Sequence, residues 1–243
     1  MKAVILVAGF GSRLRPLTDN NHKALLPIGD HTTLELMISK LQRHGVSSFV
    51  LVTGHMEDKI RDYVSQTFPE LDVTYVRNDN YQTTNTGYSL LMARPHVEND
   101  TFIKLDGDVN FDEEIIARLA ATDDGASYVC VDKSDVDDEV IKVVLASNGK
   151  IRHIGNKLPV ADAAGESIGI EKIAQRSATA LFDALEKMVK DEANHQKYYE
   201  VAYETIVQQG EPFRVVDITG LKWVEMDNQA DYDQALEYFG QKA

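Results

Sequence analysis

Ala3-Val4-Ile5-Leu6-Val7-Ala8 is an unbroken apolar run that ends in Gly9-Phe10-Gly11. Bounded by glycine, such a run predicts a strand buried on both faces, as in a parallel sheet. Gly9 and Gly11 leave the backbone open to a ligand, and bare N–H groups in a loop attract anions. Ser12, Arg13 and Arg15 follow at once, and Lys23 comes ten residues after Arg13. Together they suggest a triphosphate cradle. A Walker loop is excluded, because no Gly-Lys-Ser/Thr closes it. The dinucleotide fingerprint is excluded too, because Leu14 stands where it needs a third glycine.

The next segments extend the same plan. Thr32 or Thr33 is placed to cap a helix running to about His44, with Leu34, Met37, Ile38 and Leu41 at helical spacing and Gly45 ending it. Phe49–Thr53 predicts a second buried strand, 57–66 a helix with Ile60 and Val64 inward, and Val73–Val76 a third strand. This βαβαβ order predicts a parallel sheet with helices on both faces. Ligands of such sheets bind outside the C-terminal strand ends, a rim that gathers the glycine loop, Gly54-His55 and the segment after Val76. Within 78–91, polar residues precede an apolar start, so Thr83–Asn85 are placed to cap a helix carrying Leu90 and Leu91. Phe102–Leu105, another buried strand, runs straight into Asp106-Gly107-Asp108. Two carboxylates at i and i+2 on the ligand rim either cap the next helix or share a cation. Mg²⁺ takes one or two carboxylates together with phosphate oxygens and water.

The second half changes texture. Ala126–Asp132 reads as a strand, and Val140–Ala146 and Lys150–Ile154 flank Asn148-Gly149, a two-residue hairpin signal. A small antiparallel insertion beside the parallel core is expected. The acidic run Asp132–Glu139 reads as a solvated loop and not as a site. Gly165–Ile170 suggests a strand and Arg176–Ala193 an amphipathic helix; Tyr198-Tyr199-Glu200 opens another. Adjacent tyrosines point about 100° apart on a helix, so at most one is simple core. Tyr199, Glu200 and the single tryptophan, Trp223, either pack inside or contribute to a box for an ammonium group. Phe213–Asp217 and Trp223–Met226 read as strands. Asp227 reads as the cap of a last helix, Gln229–Phe239.

Composition narrows the classes. A hydrophobic content of 43% over 243 residues supports a sizeable core in a single domain, 1–243. A formal net charge of −14 argues against a general nucleic-acid surface, and it isolates Arg13, Arg15 and Lys23 as a local exception. Cys130 has no partner for a disulfide and reads as a small core residue. No apolar stretch reaches the length of a membrane span, and the N-terminus does not read as a secretion signal. A soluble, cytoplasmic chain without membrane insertion is expected.

Leu6-x-Ala8-Gly9-x-Gly11-x-Arg13-Leu14-x-Pro16-Leu17-Thr18, then Lys23 and Leu26-Pro27, resembles the signature loop of the nucleoside-triphosphate sugar nucleotidylyltransferase superfamily. Asn85 followed by Ser89-Leu90, and Gly165-Glu166-x-Ile168-Gly169, resemble its CTP-dependent cytidylyltransferases for phosphocholine, aminoethylphosphonate and inositol phosphate. The resemblance implies a Rossmann-like α/β fold with a nucleotide-binding part (about 1–125), an acceptor-side part (about 126–225) and a C-terminal helix (about 229–239). It implies transfer of CMP from CTP to a small phosphorylated alcohol or phosphonate, with pyrophosphate released. Val7, Ala8, Gly9, Gly11 and Ser12 would hold the nucleotide with Arg13 and Lys23, the two cations serving catalytically on the triphosphate. Thr84, Asn85, Ser89 and Asp106 would complete the nucleotide site, and Asp108 and Asp227 would hold Mg²⁺. Glu166 would line the acceptor pocket, with Tyr199, Glu200 and Trp223 leaning toward a cationic headgroup. The implied partners are CTP and the acceptor, with a homodimer as a family-level expectation. The acceptor phosphate, with a second pKa of about 6, is already largely dianionic near neutral pH. It needs no general base, in keeping with the absence of an obvious His–Asp pair. Three rivals stay open: a hexose-1-phosphate nucleotidylyltransferase using UTP, dTTP or GTP, a molybdopterin nucleotidylyltransferase, and a non-catalytic nucleotide sensor. The acceptor itself is not named by these residues.

Overall fold

The computed structural model describes residues 1–134 and 136–240; Asp135 of the acidic run lies outside them. In chain order, β1 (Lys2–Val7) leads into the glycine loop, and β2 (Pro27–Ile28) with β3 (His31–Thr32) makes a small hairpin. α1 (Thr33–Arg43), β4 (Ser48–Thr53), α2 (Glu57–Thr67) and β5 (Asp72–Arg77) complete the βαβαβ start. Next come α3 (Thr86–Met92), α4 (Arg94–Val97), β6 (Phe102–Asp106), β7 (Val109–Phe111) and α5 (Glu113–Ala120). β8 (Ser127–Asp132), β9 (Lys142–Leu145), β10 (Ile151–Gly155) and β11 (Gly165–Ile173) form the next block. α6 (Gln175–Val189), α7 (Glu200–Gln208), β12 (Phe213–Asp217), β13 (Trp223–Glu225) and α8 (Gln229–Phe239) end the chain.

The helix starts have the expected chemistry. The Thr32 hydroxyl accepts from Glu35 N at 3.2 Å, and Asn85 Oδ1 accepts from Thr86 N at 2.8 Å. α6 stops at Val189, short of the expected 193, because Asp191 starts a separate turn by accepting from Ala193 N.

β6, β1, β4 and β5 lie side by side and parallel. The antiparallel insertion continues this sheet: β11 pairs with β6, β8 and β9 pair with β11, and β10 and β12 extend the edges. β1 is buried on both faces, as its apolar run requires. Ala3, Ile5 and Val7 face the core shared with α1, α2 and α5, whereas Val4 and Leu6 face the one shared with α3, α6 and α7. Cys130 is fully buried in the first core. A third cluster, including Leu14, Leu26, Val224, Met226 and Tyr232, seats α8 against the segment after the glycine loop. The Tyr232 hydroxyl adds a 2.7 Å bond to Pro27 O. This packing carries Asp227, just before α8, back to Lys23. Among the described residues no helix is long and apolar enough to cross a membrane.

Candidate active site

The glycine loop leaves β1 at the C-terminal rim of the parallel strands. Gly11 has φ 60°, in the left-handed region where glycine carries no penalty, and heads the helical turn Ser12–Leu14. Thr18 Oγ1 donates to Gly11 O at 2.8 Å and holds the loop shut. Phe10 packs on His55 and Tyr81 at 4.7 and 5.1 Å between ring centroids. A small cavity of about 90 Å³ sits within the loop, lined by Gly9, Gly11, His22, Lys23 and Asp108 among others. His22 Nδ1 accepts from Ala24 N, and burial, then the neighbouring His55, pushes its pKa down to about 4. It is therefore neutral at physiological pH.

Asp106 ends β6 and Asp108 follows across Gly107. Gly107 N donates to Leu6 O at 3.0 Å, and a Cβ there would stand 2.6 Å from that oxygen, so only glycine fits. Asp108 and Asp227 come together as expected, and Glu225, which the sequence reading passed over, joins them. One oxygen from each of the three carboxylates lies within 4.8 Å of the others. Their donors suit a hard divalent cation, and Asp108 Oδ1 is buried with no hydrogen-bond partner among the described residues. Desolvation, then the crowding of the like charges of Asp108 and Asp227, pushes the carboxyl of the surface residue Glu225 up. Lys23 Nζ lies 2.7 Å from Asp108 Oδ2 and 3.1 Å from Asp227 Oδ1, and Arg13 Nη2 lies 2.8 Å from the same Asp227 oxygen. Burial pulls the Lys23 pKa down, but Asp108 and Asp227 hold it above the usual lysine value. Asp227 is not the helix cap: Asn228 caps α8, and Asp231 closes a capping box by accepting from Asn228 N.

Asp106 belongs to a second, buried cluster. Its Oδ2 receives the Tyr199 hydroxyl at 2.6 Å and lies 3.0 Å from Lys104 Nζ. Lys104 is fully buried, 3.2 Å from Glu171 and 3.4 Å from the Tyr199 ring centroid. The ammonium that faces the Tyr199 ring is thus the chain's own. Glu200 joins this cluster and is 6% exposed, while Tyr198, 47% exposed, is the accessible tyrosine of the pair. Burial raises the pKa of Asp106 and Glu171 and pushes Glu200 up to about 7.

The Glu200 shift has a pH consequence. The folded chain holds this proton up to about pH 7, whereas an exposed glutamate releases it near 4.5. Between those values the folded state binds more protons, so this group makes stability fall as pH rises. Neutral His22 acts in the opposite sense between about 4 and 6.5, so the test is a difference. Glu200→Gln is expected to match the parent in urea unfolding at about pH 5 and to exceed it at about pH 8. Equal stability at the higher pH would contradict the assignment.

Thr84 and Ser89 are drawn together by a residue not singled out from the sequence. Asn78, fully buried, donates to Thr84 Oγ1 at 3.0 Å and to Ser89 Oγ at 3.1 Å. Asn85 caps α3 and reaches Gln196 O. All three border a cleft of about 1400 Å³, which also takes in Gly9, Gly11, Ser12, Arg13, Lys23 and the carboxylates. Asp132, Asp137, Glu139 and Glu166 also line it, so part of the acidic run borders the cleft, with Asp137 and Glu139 themselves exposed as a solvated loop would have them. Burial, then Asp137 and Asp132, pushes Glu166 up to about 7. Trp223 Nε1 donates to Asp132 Oδ2 at 2.8 Å. The buried Lys142 turns its ammonium to the carbonyls of Asp137, Asp138 and Val140 and so holds this loop.

CMP-5'-(3-aminopropyl)phosphonate synthase of Streptomyces rubellomurinus is 27% identical over 260 residues, covering 97% of this chain and 38% of that protein. Choline-phosphate cytidylyltransferase of Streptococcus pneumoniae is 34% identical over 106 residues, 44% of each chain. These alignments span about two fifths of the relatives' length. The fold matches the crystal structure of a putative glucose-1-phosphate thymidylyltransferase from Bacillus anthracis, with TM-score 0.83, 21% identity, and 100% and 96% of the two chains covered. A family profile described as MobA-like NTP transferase domain matches residues 3–199. The chain belongs to the MobA-like NTP transferase domain family.

Proposed function

We propose that the chain transfers CMP from CTP to a small phosphorylated alcohol or phosphonate and releases pyrophosphate. One observation carries this: a single cleft sets the basic loop residues Arg13 and Lys23 against the carboxylates Asp108, Glu225 and Asp227. In the proposed reaction an acceptor phosphate oxygen attacks the α-phosphorus in line. The new P–O bond forms as the bond to the β-phosphate oxygen breaks, and pyrophosphate leaves. Two anions must meet, so the protein's task is alignment and charge neutralisation. Arg13 and Lys23 would take the charge growing on pyrophosphate. Asp108, Asp227 and Glu225 would hold a divalent cation, Mg²⁺ in this proposal, which supplies charge neutralisation at the phosphates. Cytidine is favoured by the likeness of the Asn85–Ser89 segment and by what the two relatives are named for.

The cleft's polarity supports a cationic acceptor tail. Arg13 and Lys23 bring cations suited to phosphate into the lining, while Glu166, Asp132, Asp137 and Glu139 add carboxylates that suit a cationic tail. Glu166 and Trp223 are the proposed contacts. Glu166→Gln is expected to raise KM for a cationic acceptor by about 10- to 100-fold, the worth of a hydrogen bond to a charged group, about 1.5–3 kcal/mol. KM for CTP should stay within about twofold. Steady-state pyrophosphate release reads both, and an unchanged acceptor KM removes Glu166 from the site.

The reaction itself is tested by pyrophosphate release with Mg²⁺, crossing CTP, UTP, dTTP and GTP with phosphocholine, aminoethylphosphonate, inositol phosphate and glucose-1-phosphate. Activity confined to CTP and one small acceptor is expected. Activity with glucose-1-phosphate and UTP or dTTP would replace this proposal with the hexose reading.

A further inference from the structure

We propose that Lys23 is an internal counter-ion that closes the carboxylate triad to a divalent cation until a triphosphate draws the lysine away, so that one side chain couples metal and nucleotide binding. This rests on Asp108, Glu225 and Asp227 being the metal carboxylates. The Lys23 ammonium bridges Asp108 Oδ2 and Asp227 Oδ1 at 2.7 and 3.1 Å, and Arg13 adds a second cation on that Asp227 oxygen at 2.8 Å. Both carboxylates belong to the only such group among the described residues, one oxygen from each of Asp108, Glu225 and Asp227 lying within 4.8 Å of the others. An ammonium and a divalent cation held by the same pair of carboxylates compete for their charge and repel each other at close range.

The same lysine borders the phosphate loop. Its stem packs so near Gly11 that a Cβ on that glycine would stand 3.1 Å from Lys23 Cβ, and it lines the cavity of about 90 Å³ inside the loop. A triphosphate seated there offers the ammonium a second anionic partner within reach of one flexible stem. When the lysine moves to it, the carboxylate oxygens open. A ligand that favours one of two arrangements shifts the population toward it, and the resulting coupling is reciprocal. The lysine thus has a role before any chemistry.

The probe is Mn²⁺ in the absence of nucleotide, followed by the electron paramagnetic resonance signal of the free ion. Lys23→Met is expected to bind Mn²⁺ about 5- to 150-fold more tightly than the parent, the usual span of a coupling between sites. Adding Asp108→Asn to that variant is expected to abolish the gain. Lys23→Gln replaces it if urea unfolding shows the methionine variant to be misfolded. A folded Lys23 variant that binds Mn²⁺ no more tightly than the parent overturns the proposal, and so does a gain that survives Asp108→Asn. Turnover is scored separately. A gain in Mn²⁺ affinity together with a parent chain that releases no pyrophosphate from any nucleotide keeps the lysine's role and removes the reaction; an active parent without the gain does the reverse.

Discussion

Asp108→Ala is expected to lower turnover by about 10²–10³-fold, by analogy with removing one preorganised charge-stabilising group from an active site, while the fold stays intact. In the proposed reaction the carboxylate would help hold the divalent cation beside Lys23, so its loss would weaken the positive charge that neutralises the reacting phosphates. Its cost to folding is small. The side chain is 25% exposed, its Oδ1 has no hydrogen-bond partner among the described residues, and Lys23 keeps Asp227 as a partner. The bond from Met226 N to Asp108 O is backbone and survives the substitution. Steady-state pyrophosphate release and urea unfolding separate the two effects. Turnover within about threefold of the parent would remove Asp108 from the reaction.

Lys104→Met is expected to act on stability, costing about 3–5 kcal/mol, the usual loss when one partner of a buried ion pair is removed. The ammonium is fully buried between Asp106 and Glu171, at 3.0 and 3.2 Å, and among the described residues neither carboxylate has another cation so near. Without the lysine the fully buried Glu171 must stay unpaired or take up a proton, and Asp106 keeps only the Tyr199 hydroxyl. Their raised pKa values make protonation easier in acid, so the loss should be smaller at about pH 5 than at about pH 8. Urea midpoints at the two pH values measure it, and a loss below about 1 kcal/mol at the higher pH would contradict the pairing.

Much of the parallel core could be read from the chain, because its signals are local. β1, β4 and β6 are apolar runs ended by glycine or aspartate, the Thr32 and Asn85 caps announce α1 and α3, and α8 spans the expected Gln229–Phe239. What escaped depends on pairing between distant segments. Lys104 and Glu171 each sit in an apolar strand, and charged residues are seldom fully buried unless paired. Only the antiparallel register of β11 on β6, which sets Glu171 opposite Lys104, shows that they pair. Glu225 was missed for a similar reason: in a short alternating strand an outward polar residue is unremarkable. Pairing of β13 with β7 puts it opposite Val109, beside Asp108. Asn78 carried no motif, since its two hydroxyl partners follow it by six and eleven residues. Asp227 was legible as a cap or a ligand, and the neighbouring Asn228 settles the capping role in its own favour.

The most direct test of the proposed chemistry uses an acceptor whose phosphate carries oxygen-18 in its non-bridging positions. Incubated with CTP and Mg²⁺, the chain should yield a CMP–acceptor adduct that retains all of the label, including the oxygen joining the two phosphorus atoms, and unlabelled pyrophosphate. CMP carrying oxygen from water, or label in the pyrophosphate, would contradict attack of the acceptor phosphate on the α-phosphorus.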